Sequence, residues 1–99
     1  MDLGLAGKRA LVAAASRGLG AAIARNLAIE GCVVEISSRS LSNAEDTVAR
    51  IVSETGGTVT AAQVDVSDAS AVQSWVDDAT ARMGGLDIVI PNAGGPPSA

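Results

Sequence analysis

Hydrophobic residues occur along the chain in short runs that alternate with longer segments of helical periodicity. Four runs are apolar enough to be buried strands, at 9–14, 32–37, 58–64 and 86–90. Between them, apolar residues recur at three- and four-residue spacing, which is typical of amphipathic helices. The pattern therefore predicts the order βαβαβαβ, with loops of a few residues.

Each predicted helix has an apolar stripe and is followed by glycine. Glycine is favoured just beyond a helix because it adopts the left-handed conformation that ends the last turn. It stands at Gly31, Gly56 and Gly84. The stripes are formed by Leu19, Ile23 and Leu27, then by Val48, Ile51 and Val52 within 41–55, and then by Val72, Trp75, Val76, Ala79 and Met83.

Polar residues leave some local choices open. Ser42 precedes Glu45 at capping-box spacing, but Ser40 is a competing cap for the second helix. Ser67 or Asp68 caps the third helix. In the second strand Glu35 interrupts the apolar run, and we expect it to face a sheet rim or a neighbouring cation.

The alternation of strands and helices predicts the fold class. Right-handed crossovers place successive strands in one parallel sheet with helices on both faces. We therefore expect an α/β, Rossmann-type doubly wound sheet with strand order 3-2-1-4. Ninety-nine residues without a linker or repeat are treated as a single domain, 1–99.

Composition narrows the function classes. The net charge is -4 and basic residues are not clustered, so nucleic acid is not an expected partner. No apolar run approaches the roughly 18 residues that span a bilayer, and the N-terminus lacks a signal-peptide pattern. The single cysteine, Cys32, suits a reducing compartment. We expect a cytoplasmic protein without a membrane partner.

The segment AAASRGLG, 13–20, follows the first strand and opens the first helix. A helix N-terminus presents unpaired N–H groups and the positive end of its dipole, so a pyrophosphate fits there. Gly18 permits close approach, and Gly20 permits close packing on the first strand. Ala14 stands where a tight-turn glycine is usual, which alanine tolerates unless the turn needs a positive φ. A bland tight turn is the alternative.

The end of the second strand favours one cofactor over another. A carboxylate about 20 residues after the loop would bind a ribose 2′-hydroxyl, as in NAD sites. Here Ser37, Ser38 and Arg39 stand instead, and the serine hydroxyls can help to bind a phosphate. Arg39 can hold a 2′-phosphate through its fork of donors, and Arg17 can reach the same phosphate from the loop. This arrangement favours NADP(H), although two solvated surface arginines are the alternative.

Two further segments follow strands at the edge where ligands bind in such sheets. Asp65 and Val66 follow the third strand, where Asp65 accepts from an adenine amino group or caps the next helix. Asn92, Ala93 and Gly94 follow the fourth strand and leave room for a ribose, or form an ordinary turn.

Together these segments resemble the short-chain dehydrogenase/reductase family. The family pattern T-G-x-x-x-G-x-G maps onto 13–20, with alanines in place of Thr and the first Gly. Its N-N-A-G maps onto 91–94, with Pro91 as a departure, and its Asp-Val pair matches 65–66. The wording SRGLG, SSRS, DVSD and NAGGPP is most like the 3-oxoacyl-carrier-protein reductase branch.

The resemblance implies hydride transfer between NADP(H) and a small carbonyl or alcohol substrate. Members use a Tyr, a Lys four residues later and a Ser, all beyond the fourth strand. This chain has no Tyr and its one Lys is Lys8, so no residue is assigned a catalytic role. We expect an N-terminal, cofactor-binding portion, a truncation or a fragment. The residues expected to contact cofactor are Ala14, Ser16, Arg17, Gly18, Leu19, Gly20, Ser38, Arg39, Asp65, Val66, Asn92, Ala93 and Gly94.

Other functions remain open at this point. The chain can also be a non-catalytic nucleotide-binding module, or a Rossmann domain that binds S-adenosylmethionine, although Arg39 disfavours the latter. The fourth strand would have an apolar unpaired edge, which predicts a homo-oligomer or a partner that supplies the rest of the sheet.

Overall fold

A computed structural model describes residues 4–15 and 18–91. Four strands and three helices lie in these ranges, and their bounds are β1 (Arg9–Val12), α1 (Gly18–Ile29), β2 (Val33–Ser38), α2 (Leu41–Thr55), β3 (Thr58–Gln63), α3 (Ala69–Met83) and β4 (Ile88–Ile90). The strands form one parallel sheet in the order β3-β2-β1-β4. The predicted α/β Rossmann-type fold and strand order are confirmed.

The sheet separates two apolar cores. Alternate residues of a strand point to opposite faces, so Ala10 and Val12 face one side and Leu11 faces the other. The first core is covered by α1 and α2, whose Ala24 and Ile51 pack into it. The second core is covered by α3 and contains the buried Trp75, Ala79, Leu11, Ala13 and Val64. Helices on both faces explain why β1 is buried on both of its sides.

Strand bounds differ from the predicted ones at the ends. β1 ends at Val12 rather than at residue 14, because the chain turns at Ala14, where φ is 54°. β2 runs one residue later than predicted, β3 ends one residue earlier, and β4 begins at Ile88 rather than at residue 86. Before β4, Asp87 is held by β1 through a bond from its amide to the Arg9 carbonyl, at 2.9 Å.

The helix caps resolve the open choices. Ser40 caps α2, and its hydroxyl accepts the amide of Asn43 at 3.2 Å. Asp68 caps α3, and its carboxylate accepts the amides of Ser70 and Ala71. Gly56 and Gly84 end α2 and α3 in the left-handed conformation, as the glycine pattern predicts.

Two residues of the predicted helical stripes face solvent instead of the core. Leu19 is 64% exposed and Val52 is 39% exposed. The buried face of α1 consists of small residues, Gly20, Ala21, Ala24 and Ala28. Side chains of this size let the helix axis lie close to the sheet, and Leu19 then projects on the other side.

Glu35 is a buried carboxylate in the centre of the sheet, on the face that α3 covers. It is 2% exposed and accepts bonds from the indole of Trp75, at 2.6 Å, and from the hydroxyl of Thr60, at 2.9 Å. The guanidinium of Arg82 donates to both of its oxygens, at 3.2 and 2.9 Å. Of the two expectations for Glu35, the neighbouring cation is correct.

Within the described ranges, no helix is long and apolar enough to cross a bilayer. The longest helices have 15 residues, and both are amphipathic.

Candidate functional site

The carboxyl ends of β1, β2 and β3 lie at one edge of the sheet, and backbone hydrogen bonds continue beyond the strands to join them. The amide of Ala15 donates to the carbonyl of Ser37 at 2.8 Å. The amide of Val64 donates to the carbonyl of Ser38 at 2.9 Å. The three loops that follow are therefore neighbours, as the parallel topology requires.

The turn after β1 needs a left-handed residue, and an alanine occupies it. Ala14 has a φ of 54°, and no other non-glycine residue described has a positive φ. This is the condition under which the sequence pattern called for glycine. The conformation costs alanine about 1–3 kcal/mol relative to an unstrained residue. The amide of Ala14 donates to the hydroxyl of Ser37 at 3.2 Å.

The start of α1 has free space around Gly18 as far as the described residues show. Gly18, the first helical residue, has a φ of 65°, and a Cβ added there would meet no atom of the described residues within 4 Å. Leu19 beside it is exposed, and Gly20 is buried. Free amides of the first turn and the helix dipole suit an anionic group. Ser16 and Arg17, also predicted to contact the cofactor, lie outside the described residues.

Arg39 stands at the junction of β2 and α2. Its side chain is exposed, and within 4–15 and 18–91 no carboxylate forms an ion pair with it. Its backbone is held from β3, because the amide group of Gln63 donates to the Arg39 carbonyl at 3.1 Å. The buried Ser38 hydroxyl accepts the amide of Ser40 at 3.2 Å. The loop is thus fixed while the guanidinium is available.

Asp65 follows β3 and lies near this guanidinium. One of its carboxylate oxygens accepts the hydroxyl of Ser67 at 2.6 Å and the amide of Ser67 at 3.0 Å. These bonds from Ser67, followed by the charge of Arg39, hold the pKa of Asp65 below its ordinary value. Asp68 caps α3, so the alternative role predicted for Asp65, a helix cap, is not the one it has.

Val66 lines an apolar pocket of about 150 Å³ between α3 and β4. Trp75 contributes to the same pocket, as do Ala13, Val72, Val76, Val89 and Pro91. Pro91 is the last described residue after β4. The remaining predicted contacts, Asn92, Ala93 and Gly94, lie outside the described residues.

Sequence reasoning missed Gln63 near the site, and it placed Ser37 there without predicting its contacts with the turn after β1. Ser37 is fully buried and holds two successive amides of the turn after β1. Gln63 holds the Arg39 carbonyl. Both residues could have been singled out from their position, because each is a polar residue at the carboxyl end of a strand, beside a loop that was predicted to bind the cofactor.

Sequence comparison assigns the family. The sequence model of the short chain dehydrogenase family matches residues 8–99. This chain belongs to the short-chain dehydrogenase/reductase family. The predicted resemblance is confirmed at this level.

Short-chain dehydrogenase/reductase relatives are similar over most of this chain. Elsinochrome reductase 1 of Elsinoe fawcettii is 42% identical over 90 residues, which are 91% of this chain and 34% of the relative. The chain therefore spans about a third of the length of that relative.

Solved short-chain dehydrogenase/reductase structures superpose on the fold. L-sorbose reductase from Gluconobacter frateurii, complexed with NADPH and L-sorbose, is 32% identical with a TM-score of 0.86, over 96% of this chain and 36% of that one. A metagenomic short-chain oxidoreductase in complex with NADP is 32% identical with a TM-score of 0.79, over 85% of this chain and 38% of that one. Oxidoreductases that bind nicotinamide cofactors thus share this architecture.

Proposed function

We propose that residues 1–99 form the NADP(H)-binding, N-terminal portion of an oxidoreductase that transfers hydride between nicotinamide and a carbonyl or alcohol carbon. Within that proposal, the sequence motifs favour 3-oxoacyl groups as the substrate class. When bound, the dinucleotide supplies or accepts the hydride. No described residue is assigned a catalytic role, and those that the proposal uses bind the cofactor.

The observation that carries the choice of NADP(H) is the chemistry at the end of β2. The position that takes a carboxylate in NAD sites holds Arg39, which is exposed and has no ion-pair partner among the described residues. A guanidinium forms forked, charge-assisted bonds to a phosphate, whereas it gains less from a neutral ribose hydroxyl. Arg17 is proposed to assist from the loop.

The other proposed contacts divide the cofactor between the strand ends. Ser16 and the first turn of α1 are proposed to receive the pyrophosphate, because first-turn amides and the helix dipole favour negative charge there, and the turn at Ala14 is proposed to lie against it. Asp65 and Val66 are proposed to contact adenine, and the second oxygen of Asp65 is the one left for its amino group. Asn92, Ala93 and Gly94 are proposed to lie along the ribose.

Catalysis needs groups that residues 1–99 do not contain. The sequence has no Tyr, and Lys8 precedes β1. We propose that a Tyr-x-x-x-Lys pair is supplied by further chain. This same composition favours the second candidate, a nucleotide-binding module without catalysis. NADPH oxidation by the whole protein with a carbonyl substrate discriminates the two, because a module without catalysis binds NADPH and does not turn it over.

Arg39→Ala tests the choice of cofactor. We expect the Kd for NADPH to rise about tenfold or more, and the Kd for NADH to change little, because only NADPH has the 2′-phosphate. Arg50→Ala is the matched control, since Arg50 is also exposed and lies on α2. Calorimetry, or the fluorescence of the bound reduced cofactor, measures the Kd for NADPH and the Kd for NADH in each variant. Equal effects on the two cofactors would contradict the proposal.

We also propose that the protein associates through β4 and resides in the cytoplasm. Among the described strands β4 pairs with β1 alone, and Val89 on it is 45% exposed. An unpaired apolar edge favours pairing with another chain or with the remainder of the sheet. The cytoplasmic location is supported by the single, buried cysteine.

A further inference from the structure

Ser37 makes a contact that neither its strand nor the proposed cofactor site requires of it. Its hydroxyl accepts the amide of Ala14 at 3.2 Å, and its carbonyl accepts the amide of Ala15 at 2.8 Å. The side chain is fully buried, at 0% exposure. One residue of β2 therefore binds two successive amides of the turn that leads from β1 towards α1.

The turn that Ser37 binds is the strained one. Ala14 has a φ of 54°, a conformation that residues with a Cβ adopt rarely. Such conformations persist where the surrounding structure determines them through several contacts. Here the amide on each side of the Ala14 α-carbon has a partner on Ser37, and Ala15 is fully buried. These contacts fix the direction in which the chain leaves β1.

The direction of the chain at this point determines where α1 begins. Ala13 is bound on the other side, since its amide donates to the carbonyl of Ile90 at 2.9 Å. The strand end is thus held between β4 and β2, and the Ser37 hydroxyl is the one side-chain acceptor among these contacts. If that acceptor is lost, Ala14 can relax to a negative φ, and the following segment takes another path.

We propose that Ser37 is a positioning residue that holds Ala14 in the left-handed conformation and so shapes the pyrophosphate turn. Its role in cofactor binding rests on the proposed function, but its hold on the turn does not. A hydroxyl from the neighbouring strand thereby replaces the conformational freedom that a glycine at position 14 would give.

The test combines Ser37→Ala with Ala14→Gly in a double-mutant cycle. Glycine adopts the left-handed conformation without strain, so the turn keeps its geometry in Ala14→Gly even without the hydroxyl. We expect Ser37→Ala to raise the Kd for NADPH about tenfold, and the double variant to return to within about twofold of the unaltered protein. Ser53→Ala, an exposed serine on α2, is the control and should leave the Kd unchanged.

The unaltered protein, the two single variants at positions 37 and 14 and the double variant are also compared by equilibrium unfolding in urea, which does not depend on cofactor. We expect Ser37→Ala to lower the folding equilibrium constant by at least about fivefold less when residue 14 is alanine than when it is glycine, because alanine recovers its backbone strain by relaxing once the acceptor is gone. If the unaltered protein does not bind NADPH, the proposed function fails, and this difference still decides the role of Ser37.

Additive effects of the two substitutions would overturn the inference, as would unchanged NADPH affinity in Ser37→Ala beside normal binding by the unaltered protein. If Ser37→Ala does not fold, the double variant decides. A folded double variant supports the hold on the turn. An unfolded double variant shows that Ser37 serves the packing of β2, and this result overturns the inference.

Discussion

Removal of the Arg82 side chain tests how the buried Glu35 carboxylate is stabilised. Arg82→Ala deletes two bonds to Glu35, at 3.2 and 2.9 Å, and the bond from Arg82 to Asp78 at 2.6 Å. Glu35 is 2% exposed in the unaltered protein, and in the variant only its bonds from Trp75 and Thr60 remain. A buried charge is therefore left without its cation, because alanine offers no substitute.

The magnitude follows from the burial of the two partners. Breaking a fully buried pair costs about 3–5 kcal/mol, since the remaining charge is not solvated. The Arg82 side chain is 48% exposed, so water reaches the space it leaves and part of that penalty is removed. The loss of the exposed Asp78 contact adds about 0.3–0.5 kcal/mol. We expect a loss of about 2–3 kcal/mol, which is large against the total stability of about 5–15 kcal/mol.

Urea unfolding followed by the fluorescence of Trp75, the single tryptophan, measures the effect. Arg25→Ala is the matched control, because Arg25 is also helical and also pairs with a glutamate. That pair, with Glu54, has one contact at 3.3 Å, and its side chains are 47% and 46% exposed. We expect its loss to cost less than about 1 kcal/mol.

Acid gives a second signature of the same network. Burial raises the pKa of Glu35, but hydrogen bonds from Arg82, Trp75 and Thr60 and the charge of Arg82 together lower it below the ordinary 4.5. A lowered pKa means that ionised Glu35 stabilises the fold above about pH 4.5, and that this stability is lost as the pH falls through the folded-state pKa. The difference between Arg82→Ala and the unaltered protein should shrink over that range. Equal costs for the two arginine variants, or a difference indifferent to acid, would refute the reasoning.

Three further predictions concern the turns and the sheet edge. Gly85→Ala should cost about 1–3 kcal/mol in urea unfolding, because the residue has a φ of 139° and a Cβ there would lie 2.9 Å from the guanidinium of Arg9; an unchanged midpoint contradicts it. Asp68→Ala should cost about 1 kcal/mol through loss of the α3 cap, whereas Ser42→Ala, beside the Ser40 cap, should cost much less. Val89→Lys should reduce self-association seen by light scattering, and an unchanged mass would count against the β4 edge as the contact.

Most of the fold could be predicted from the chain because the periodicity of apolar residues reports which surfaces are buried. The helices end where Gly56 and Gly84 stand, since those positions need a positive φ. Strand ends were less certain. β1 stops two residues before its apolar run does, because alanine is equally compatible with a buried strand and with a buried turn.

The candidate site was predictable in place but not in detail. Arg39 and Asp65 could be assigned to neighbouring loops, because parallel strands end at one edge of a sheet. That Asp65 binds Ser67 and leaves the cap of α3 to Asp68 depends on loop conformations that the sequence pattern does not fix. The contacts of Arg17 and Asn92 stay predictions, since both lie outside the described residues.

The sequence alone determined the element order, the parallel topology and the residue chemistry at the strand ends, because these follow from local periodicity and from chain connectivity. Tertiary structure alone decided which groups meet across the fold. Glu35 is separated from Arg82 by 47 residues and Ser37 from Ala14 by 23, and both contacts depend on how strands align and where helices pack. A polar residue in an apolar strand reveals in the sequence that it needs a partner, and the fold supplies its identity.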